Sequence, residues 1–404
     1  MVRPVVVVGG GILGLTVARA VLRRWPGTPL LLLEKERTVA VHQTGHNSGV
    51  IHSGVYYRPG SLKANLCVRG RAMMLEYLRE EGIPFRLCGK VVVASRPSEL
   101  PALEELERRA RANGVPDVAR LDPAGIRAIE PEAVGVAGLH VPGTGIVDYA
   151  EVARRLAVDV ERRGGVVRLG EEVTGLRSGP EGPEVRSAGR VTPARYVINA
   201  AGLQADRLAQ AAGLALPGRI VPFRGEYYLL RPQARSLVRG LIYPVPDPEM
   251  PFLGVHLTSR IGGDVEAGPN AVLAGAREGY RWSTVRPDEL VETLATPGFV
   301  PMVRRFGRAA LYEAYRSLNP RAFLRDLQRL VPALTEEDLR PGGAGVRAQA
   351  LLPDGRLADD FLLVPGDRAL HVLNAPSPAA TSSLAIAEYL VDRVPLGPTG
   401  AIAG

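Results

Sequence analysis

Short apolar runs separated by glycine-rich turns recur along the chain, and their spacing predicts a layered α/β protein. Residues 4–8 form a continuous β-branched run, the pattern of a strand buried on both faces of a parallel sheet. Gly9, Gly10 and Gly11 follow. Residues 12–24 carry apolar positions at helical spacing, with Leu13, Val17, Ala20 and Val21 on one face. Residues 30–33 make a second apolar strand that ends at Glu34, completing a strand–helix–strand unit.

Residues 42–61 have no clean period and are rich in Gly, Ser and His, which predicts a long functional loop leading into a helix over 61–81. A strand at 90–94 and an exposed charged helix at 99–113 come next. A helix ending near Gly164 precedes buried strands at 166–169 and 195–199. From 220 to 260 the pattern changes. Residues 225–230 alternate, and short β-runs at 241–244 and 254–257 are separated by Pro and Gly, as in an antiparallel sheet. Residues 299–330 read as one arginine-rich helical segment. Strands at 361–364 and 371–373 and a last helix over 380–391 close the chain. The predicted class is therefore α/β plus α+β: a Rossmann-like dinucleotide domain with an interleaved substrate domain built on an antiparallel sheet. The cofactor domain is assigned 1–95, 145–215 and 340–404, and the substrate domain 96–144 and 216–339. No internal repeat is visible.

Composition narrows the classes. Of 404 residues, 46% are hydrophobic and 23% charged, a globular balance. The net charge of +8 favours anionic partners, yet only Lys35, Lys63 and Lys90 among the 50 basic residues are lysines. The arginine excess is spread over the chain without interleaved aromatics, so nucleic acid is not an expected partner. Cys67 and Cys88 fit neither a disulfide framework nor a zinc spacing, which suits a reducing cytoplasm. The first strand starts too early to leave room for a secretory leader, and no run of about 18 apolar residues predicts a spanning helix.

Gly9, Gly11 and Gly14 form GxGxxG between the first strand and the first helix. The first glycine permits the tight turn, the second lets backbone approach a pyrophosphate, and the third allows close helix–strand packing. The helix start offers unpaired N–H groups to phosphate. Glu34, twenty residues beyond Gly14, suits a ribose diol. The motif alone leaves NAD and FAD open. Its place at the front of the chain, and a second small-residue strand end at 196–202 (YVINAAG), favour FAD.

The stretch 42–54, HQTGHNSGVIHSG, with Tyr56, Tyr57 and residues 59–63 after it, resembles the L-2-hydroxyglutarate oxidase/dehydrogenase family of the FAD-dependent D-amino-acid-oxidase-like superfamily. The resemblance continues through 143–148, 222–227, 242–257 and 345–349 and ends at 374–382, NAPSPAATS. Residues 262–308 are less familiar. The resemblance implies FAD as cofactor and oxidation of L-2-hydroxyglutarate to 2-oxoglutarate by hydride transfer to flavin N5. It also implies electron delivery to a membrane quinone in bacterial relatives, rather than mainly to oxygen; with a quinone as acceptor, a cytoplasmic protein in peripheral contact with the inner face of the cell membrane is expected. Together with the glycine motif, it implies cofactor contacts at Gly9, Gly11, Ile12, Gly14, Glu34, Lys35, Thr44, Gly45, Asn47, Ser48, Gly49, Val173, Ala201, Gly202, Gly345, Arg347, Ser377, Pro378, Ala379, Ala380 and Thr381.

Oxidising a small hydroxy acid needs a base and a carboxylate anchor. Six histidines limit the choice of base. His52 lies in the loop expected to reach the flavin and His256 in a β-run of the substrate domain; a neutral imidazole in either place suits proton abstraction. Arg347, with a planar fork suited to carboxylate, is the third catalytic candidate. Arg224, Tyr57 and Lys63 are candidates for binding substrate, with a structural ion pair as the plainer role for Arg224. His42 and His46, four apart, could pair on a metal, but no third ligand is evident in the sequence; packing of the cofactor loop is the expected role and no metal is expected. Residues 374–381, leading into the last helix, would aim N–H groups at the flavin. Apolar positions among the arginines of 299–330 suit a helix packed on its own domain or lying on an anionic membrane. The main alternative is a flavin amine or amino-acid oxidase producing hydrogen peroxide; a non-catalytic flavin-binding protein and an NAD dehydrogenase are further readings. Oligomeric state is left open.

Overall fold

The computed structural model describes residues 3–247 and 253–396. Residues 248–252, inside one of the family-like stretches, and 397–404, at the end of the last cofactor-domain segment, lie outside the described residues, as do residues 1 and 2.

A six-stranded sheet carries the first half of the site. Its order is Leu362–Gly366, Ala369–Asn374, Tyr196–Asn199, Val5–Val8, Leu30–Leu33, Val166–Arg168, parallel except for the first strand. Alternation sorts its side chains. Val5, Val7, Leu30, Leu32 and Ile198 pack on the helices Ile12–Arg24, Leu62–Glu80, Tyr149–Arg162 and Ala379–Val391. Val6, Val8, Leu31, Leu33 and Val197 pack on the other face against Leu176, Val185 and Leu208. Two buried faces require the unbroken apolar runs that mark these strands in the sequence. Residues 166–169 depart from this pattern. Val166–Arg168 is the edge strand, so Val166 is 50% and Leu169 44% exposed rather than buried.

A nine-stranded sheet forms the second half. Its path runs Val272–Leu273, Arg219–Leu230, Val265–Gly268, His256–Ser259, Leu241–Pro244, Lys90–Ala94, Ala137–Val141, Ala119–Leu121, and Leu339–Leu351 pairs with Arg219–Leu230 off this path. All pairs are antiparallel except Leu241–Pro244 with Lys90–Ala94. The strand Lys90–Ala94 thus lies in this sheet, although it follows the first cofactor-domain elements in the chain. The longest pairing, Arg219↔Leu351 to Leu230↔Leu339, involves a strand that contains Pro and Gly, residues of low strand propensity. Cross-strand pairing overrides local propensity there.

Two further three-stranded sheets complete the fold. Val173–Arg177, Glu184–Ser187 and Arg190–Pro193 cover one face of the parallel sheet, and their polar outer residues hid them from pattern reading. Val50–Ile51, Gly145–Val147 and Phe85–Arg86 anchor the loop that begins at His42. The segment 299–330 is two helices, Phe299–Leu318 and Pro320–Gln328, rather than one. Pro320 disfavours helical geometry at Asn319, which instead caps the second helix by accepting from the Arg321 and Ala322 N–H groups.

Candidate active site

A cavity of about 1740 Å³ lies where the two large sheets meet. Its cofactor side begins at the glycine turn. Gly9 has φ +110°, and a Cβ there would lie 2.5 Å from the Ala200 carbonyl oxygen. A Cβ on Gly14 would lie 1.9 Å from the Gly9 oxygen, so only glycine lets the helix Ile12–Arg24 start this close to the strand. Gly9, Gly11 and Ile12 line the cavity. Gly14 does not; it shapes the turn from behind. No side chain of the N-cap residue caps this helix, and Thr44 Oγ1 accepts from the Ile12 N–H at 3.0 Å.

Glu34 lines the cavity next to this turn. One carboxylate oxygen accepts from Gly10 N at 2.5 Å and the other from Glu36 N at 2.9 Å, which orients the group at the strand end. Lys35, also in the lining, is bonded to Glu278 and lies 3.2 Å from Glu36. Val173, Ala201 and Gly202 continue this wall.

The loop from His42 is locked by its own side chains. The Asn47 amide donates to the Gln43 and Thr44 carbonyls and accepts from Gly49 N at 2.8 Å. Thr44, Asn47 and Ser48 reach the cavity, whereas Gly45 and Gly49 do not. Their role is close packing: a Cβ would meet the Ala40 oxygen at 2.4 Å and the Val147 oxygen at 2.7 Å respectively. His46 stacks on Tyr280 with ring centroids 4.4 Å apart, and His42 bonds the Tyr280 hydroxyl and Glu36. The supposed lack of further ligands beside His42 is corrected by the fold. Glu36 and Glu278, far apart in sequence, bring carboxylate oxygens within 4.8 Å of its ring nitrogen. Lys35 already bridges those two carboxylates, and His46 is outside the group.

The substrate side is built from side chains. His256 is 6% exposed and stacks on Tyr243 at 3.9 Å. Its Nδ1 lies 2.8 Å from the Gly254 carbonyl oxygen, so Nδ1 carries the proton and Nε2 keeps the lone pair. Burial pushes this imidazole down to about 3, with the Lys90 and Arg347 charges acting in the same direction against the Gly254 bond. His52 is likewise pushed down to about 3, by burial first and then by Lys90, His256 and Lys63. Its backbone N–H donates to Thr381 Oγ1 at 3.1 Å. Thr381 is buried outside the cavity and also bonds Tyr149 and the Val50 carbonyl, so it positions His52 rather than lining the site.

Arg347 lines the cavity, and Nη1 reaches the Asn270 carbonyl at 3.4 Å. Gly225 makes room for it, since a Cβ there would lie 3.1 Å from Arg347 Nη2. Gly345, paired with Gly225 across the strands, lets the sheet approach His46, whose carbonyl oxygen a Cβ would meet at 2.3 Å. Arg224 is a correction. Side chains on a strand alternate, so Gly225 and Tyr227 line the cavity while Arg224 is buried on the opposite side. There it pairs with Glu226 and lies 4.3 Å over the Trp282 ring. Tyr57 and Lys63 both line the cavity; Lys63 Nζ lies 5.1 Å over the Tyr57 ring and donates to Asp359. Ser377, Pro378, Ala379 and Ala380 form the end wall, where the last helix starts with no side-chain cap. Tyr227 and Tyr243 also line the cavity and were missed. The alternation along residues 225–230 was the available signal for Tyr227.

The lining fits a dinucleotide flavin. One wall offers close backbone, a carboxylate and two helix starts without capping side chains of their own. His52 Nδ1 and the Tyr56 hydroxyl are buried polar atoms without a partner among the described residues.

Comparison with known proteins agrees. The family model for FAD-dependent oxidoreductases, DAO, matches residues 4–393. L-2-hydroxyglutarate dehydrogenase of Indibacter alkaliphilus is 47% identical over 95% of this chain and 96% of its own. The mitochondrial enzymes of that name from Nematostella vectensis and Homo sapiens are 46% and 44% identical, each over 96% of this chain and over 90% and 88% of their own lengths. Among solved structures, L-alpha-glycerophosphate oxidase from Mycoplasma pneumoniae with FAD bound superposes with a TM-score of 0.79 at 23% identity, covering 97% of this chain and 94% of that one. Glycine oxidase from Geobacillus kaustophilus gives 0.73 at 19%, with the same coverage. A match over nearly the whole chain, carried on a cavity of this shape, means that the chain belongs to the DAO family of FAD-dependent oxidoreductases, with FAD as its cofactor.

Proposed function

We propose that the protein oxidises L-2-hydroxyglutarate to 2-oxoglutarate. The observation that carries the chemistry is the presence of His256, His52 and Arg347 in the lining of one cavity. The substrate follows from relatives 44–47% identical over almost the entire chain that bear that enzyme's name.

FAD, when bound, supplies the hydride acceptor. The protein supplies the rest. His256, fixed in one tautomer by Gly254, takes the hydroxyl proton at Nε2 as the C2 hydride leaves. His52, in the same lining and neutral, is the second proton-handling group. Arg347 binds the C1 carboxylate through its fork and so orients C2–H. Lys63 and Tyr57 receive the distal carboxylate. The Ala379–Val391 helix start, which lines the cavity without a side-chain cap, would stabilise negative charge on a reduced cofactor bound there. Release of 2-oxoglutarate from L-2-hydroxyglutarate in the presence of an artificial electron acceptor tests this reading. Equal release from the D-isomer, or turnover of amino acids alone, contradicts it.

The electron acceptor is a membrane quinone in this reading, and the helix Phe299–Leu318 is the docking face. Val300, Val303, Leu311 and Leu318 on it are 54%, 47%, 74% and 70% exposed. Arg304, Arg305 and Arg308 have no carboxylate partner among the described residues, which suits anionic lipid. Arg305 and Phe306 also line the cavity, so the face adjoins the site. No helix among the described residues is long and apolar enough to cross a membrane, so this contact is peripheral.

A further inference from the structure

Lys90 has no place in the chemistry above, yet it sits behind it. It opens the strand Lys90–Ala94 and is 1% exposed. Its ammonium lies 4.4 Å from the Tyr243 ring centroid and 4.6 Å from that of Tyr56. Sheet register places the groups in order. Tyr243 pairs with Val92, which shares a face with Lys90, on one side. On its other side the neighbouring strand begins with His256, stacked on the same ring at 3.9 Å. Tyr243 therefore separates a lysine from the imidazole assigned as the base.

We propose that Lys90 is a positioning residue for His256: its cation, held across the Tyr243 ring, opposes charge on the imidazole and so keeps His256 in the neutral form that can accept the substrate's proton. This rests on the reading of His256 as the base. An aromatic face attracts one cation, and a second cation on the opposite face meets a ring already polarised and an unscreened like charge. The surroundings leave the Lys90 charge uncompensated. The nearby thiols remain neutral, since burial pushes Cys67 up to about 12 and raises Cys88 as well. Lys90 itself is pushed down to about 7 by burial. The other groups facing this cluster are Arg347 towards His256, Lys63 towards His52, and Tyr227 and Glu266 towards Tyr243. Arg347 and Lys63 add to the positive field. Burial raises the Glu266 carboxyl, which weakens it as a counter-charge.

The test is NMR titration of the holoenzyme with labelled histidine rings, the His256 signal being identified by its absence in H256N. No substrate is needed, so the outcome is independent of the proposed reaction. K90M is expected to move the His256 midpoint up by about one pH unit. K90R, which keeps the charge, is expected to leave it at the wild-type value. An unmoved midpoint in K90M, or equal movement in K90M and K90R, overturns the proposal. If K90M does not fold, the wild type still decides. With three lysines in the chain, side-chain labelling gives three signals. The Lys90 signal should titrate far below the ordinary lysine value. A Lys90 midpoint near the ordinary lysine value of about 10.4 would mean that an anion already holds the cation, and would overturn the proposal equally.

Discussion

The two walls of the cavity are made of different material. On the cofactor side the backbone forms the surface: Gly9 and Gly14 bring strand, turn and helix to distances that no Cβ allows. On the substrate side Gly225 leaves room for Arg347, and His256, Arg347, Tyr227 and Tyr243 form the surface. The first wall is specified by what is missing from a few neighbouring residues, and it offers close backbone to the cofactor. The second is specified by which parity of each strand faces inward, and it carries the side chains to which the proposed chemistry is assigned. Damage to the first should be steric and total. Damage to the second should be graded and chemical.

Gly14→Val should separate the two most sharply. The added side chain meets the Gly9 carbonyl, so the protein should purify without flavin or fail to fold; flavin content per chain measures this, and a normally yellow variant contradicts it. His256→Asn should retain flavin but lower kcat by about 10²–10⁴-fold. Next come the two arginines of the paired strands. Arg347→Met should lower kcat/KM by about 10²–10³-fold with little change in melting temperature. Arg224→Met should do the reverse, costing about 2 kcal/mol of stability through Glu226 and Trp282 while kcat/KM stays near wild type. Similar kinetic losses in both would erase the distinction between the two strand faces.

The substrate wall should also show in the pH dependence of stability. His52 and His256 titrate near 3 in the fold, whereas an unfolded chain protonates them near the ordinary value of 6.5. Below 6.5 the unfolded state binds more protons, so their stabilising contribution is intact above that pH and drains away as the pH falls towards 3. Melting temperatures between pH 8 and pH 4 should therefore fall less steeply in H52N/H256N than in wild type. The smallest catalytic effect belongs to the outer surface. Replacing Val300, Leu311 and Leu318 by Ser should abolish cosedimentation with acidic liposomes at low salt and leave turnover with a water-soluble acceptor unchanged. Absence of liposome binding by the wild type contradicts the docking face.

The same contrast explains what could be read in advance. The glycine turn was legible because its three critical residues lie within six positions of one another in the chain, beside the strand they follow, and each has a single steric reason. His52, His256 and Arg347 were legible as residue types in unusual contexts, and the fold brings them to one cavity. The side of the strand on which Arg224 falls was not legible, because the register of Arg219–Leu230 is set by Leu339–Leu351, more than a hundred residues later. Lys90 was hidden for a related reason: its partners Tyr56 and Tyr243 come from a loop and from a parallel neighbour strand. The break at Pro320 was visible in the sequence, but the apolar pattern continues across it into Phe323, Leu324 and Leu327, which are buried in the core, while the preceding helix leaves its outer stripe exposed.

On the proposed reading, this cavity holds FAD on its backbone wall and oxidises L-2-hydroxyglutarate on its side-chain wall. Anaerobic mixing of the purified holoenzyme with each isomer of 2-hydroxyglutarate, followed through the visible absorbance of the flavin, tests it most directly. Rapid bleaching with the L-isomer and none with the D-isomer is the predicted result. A flavin that stays oxidised with the L-isomer, or that bleaches only with amino acids, would contradict the account.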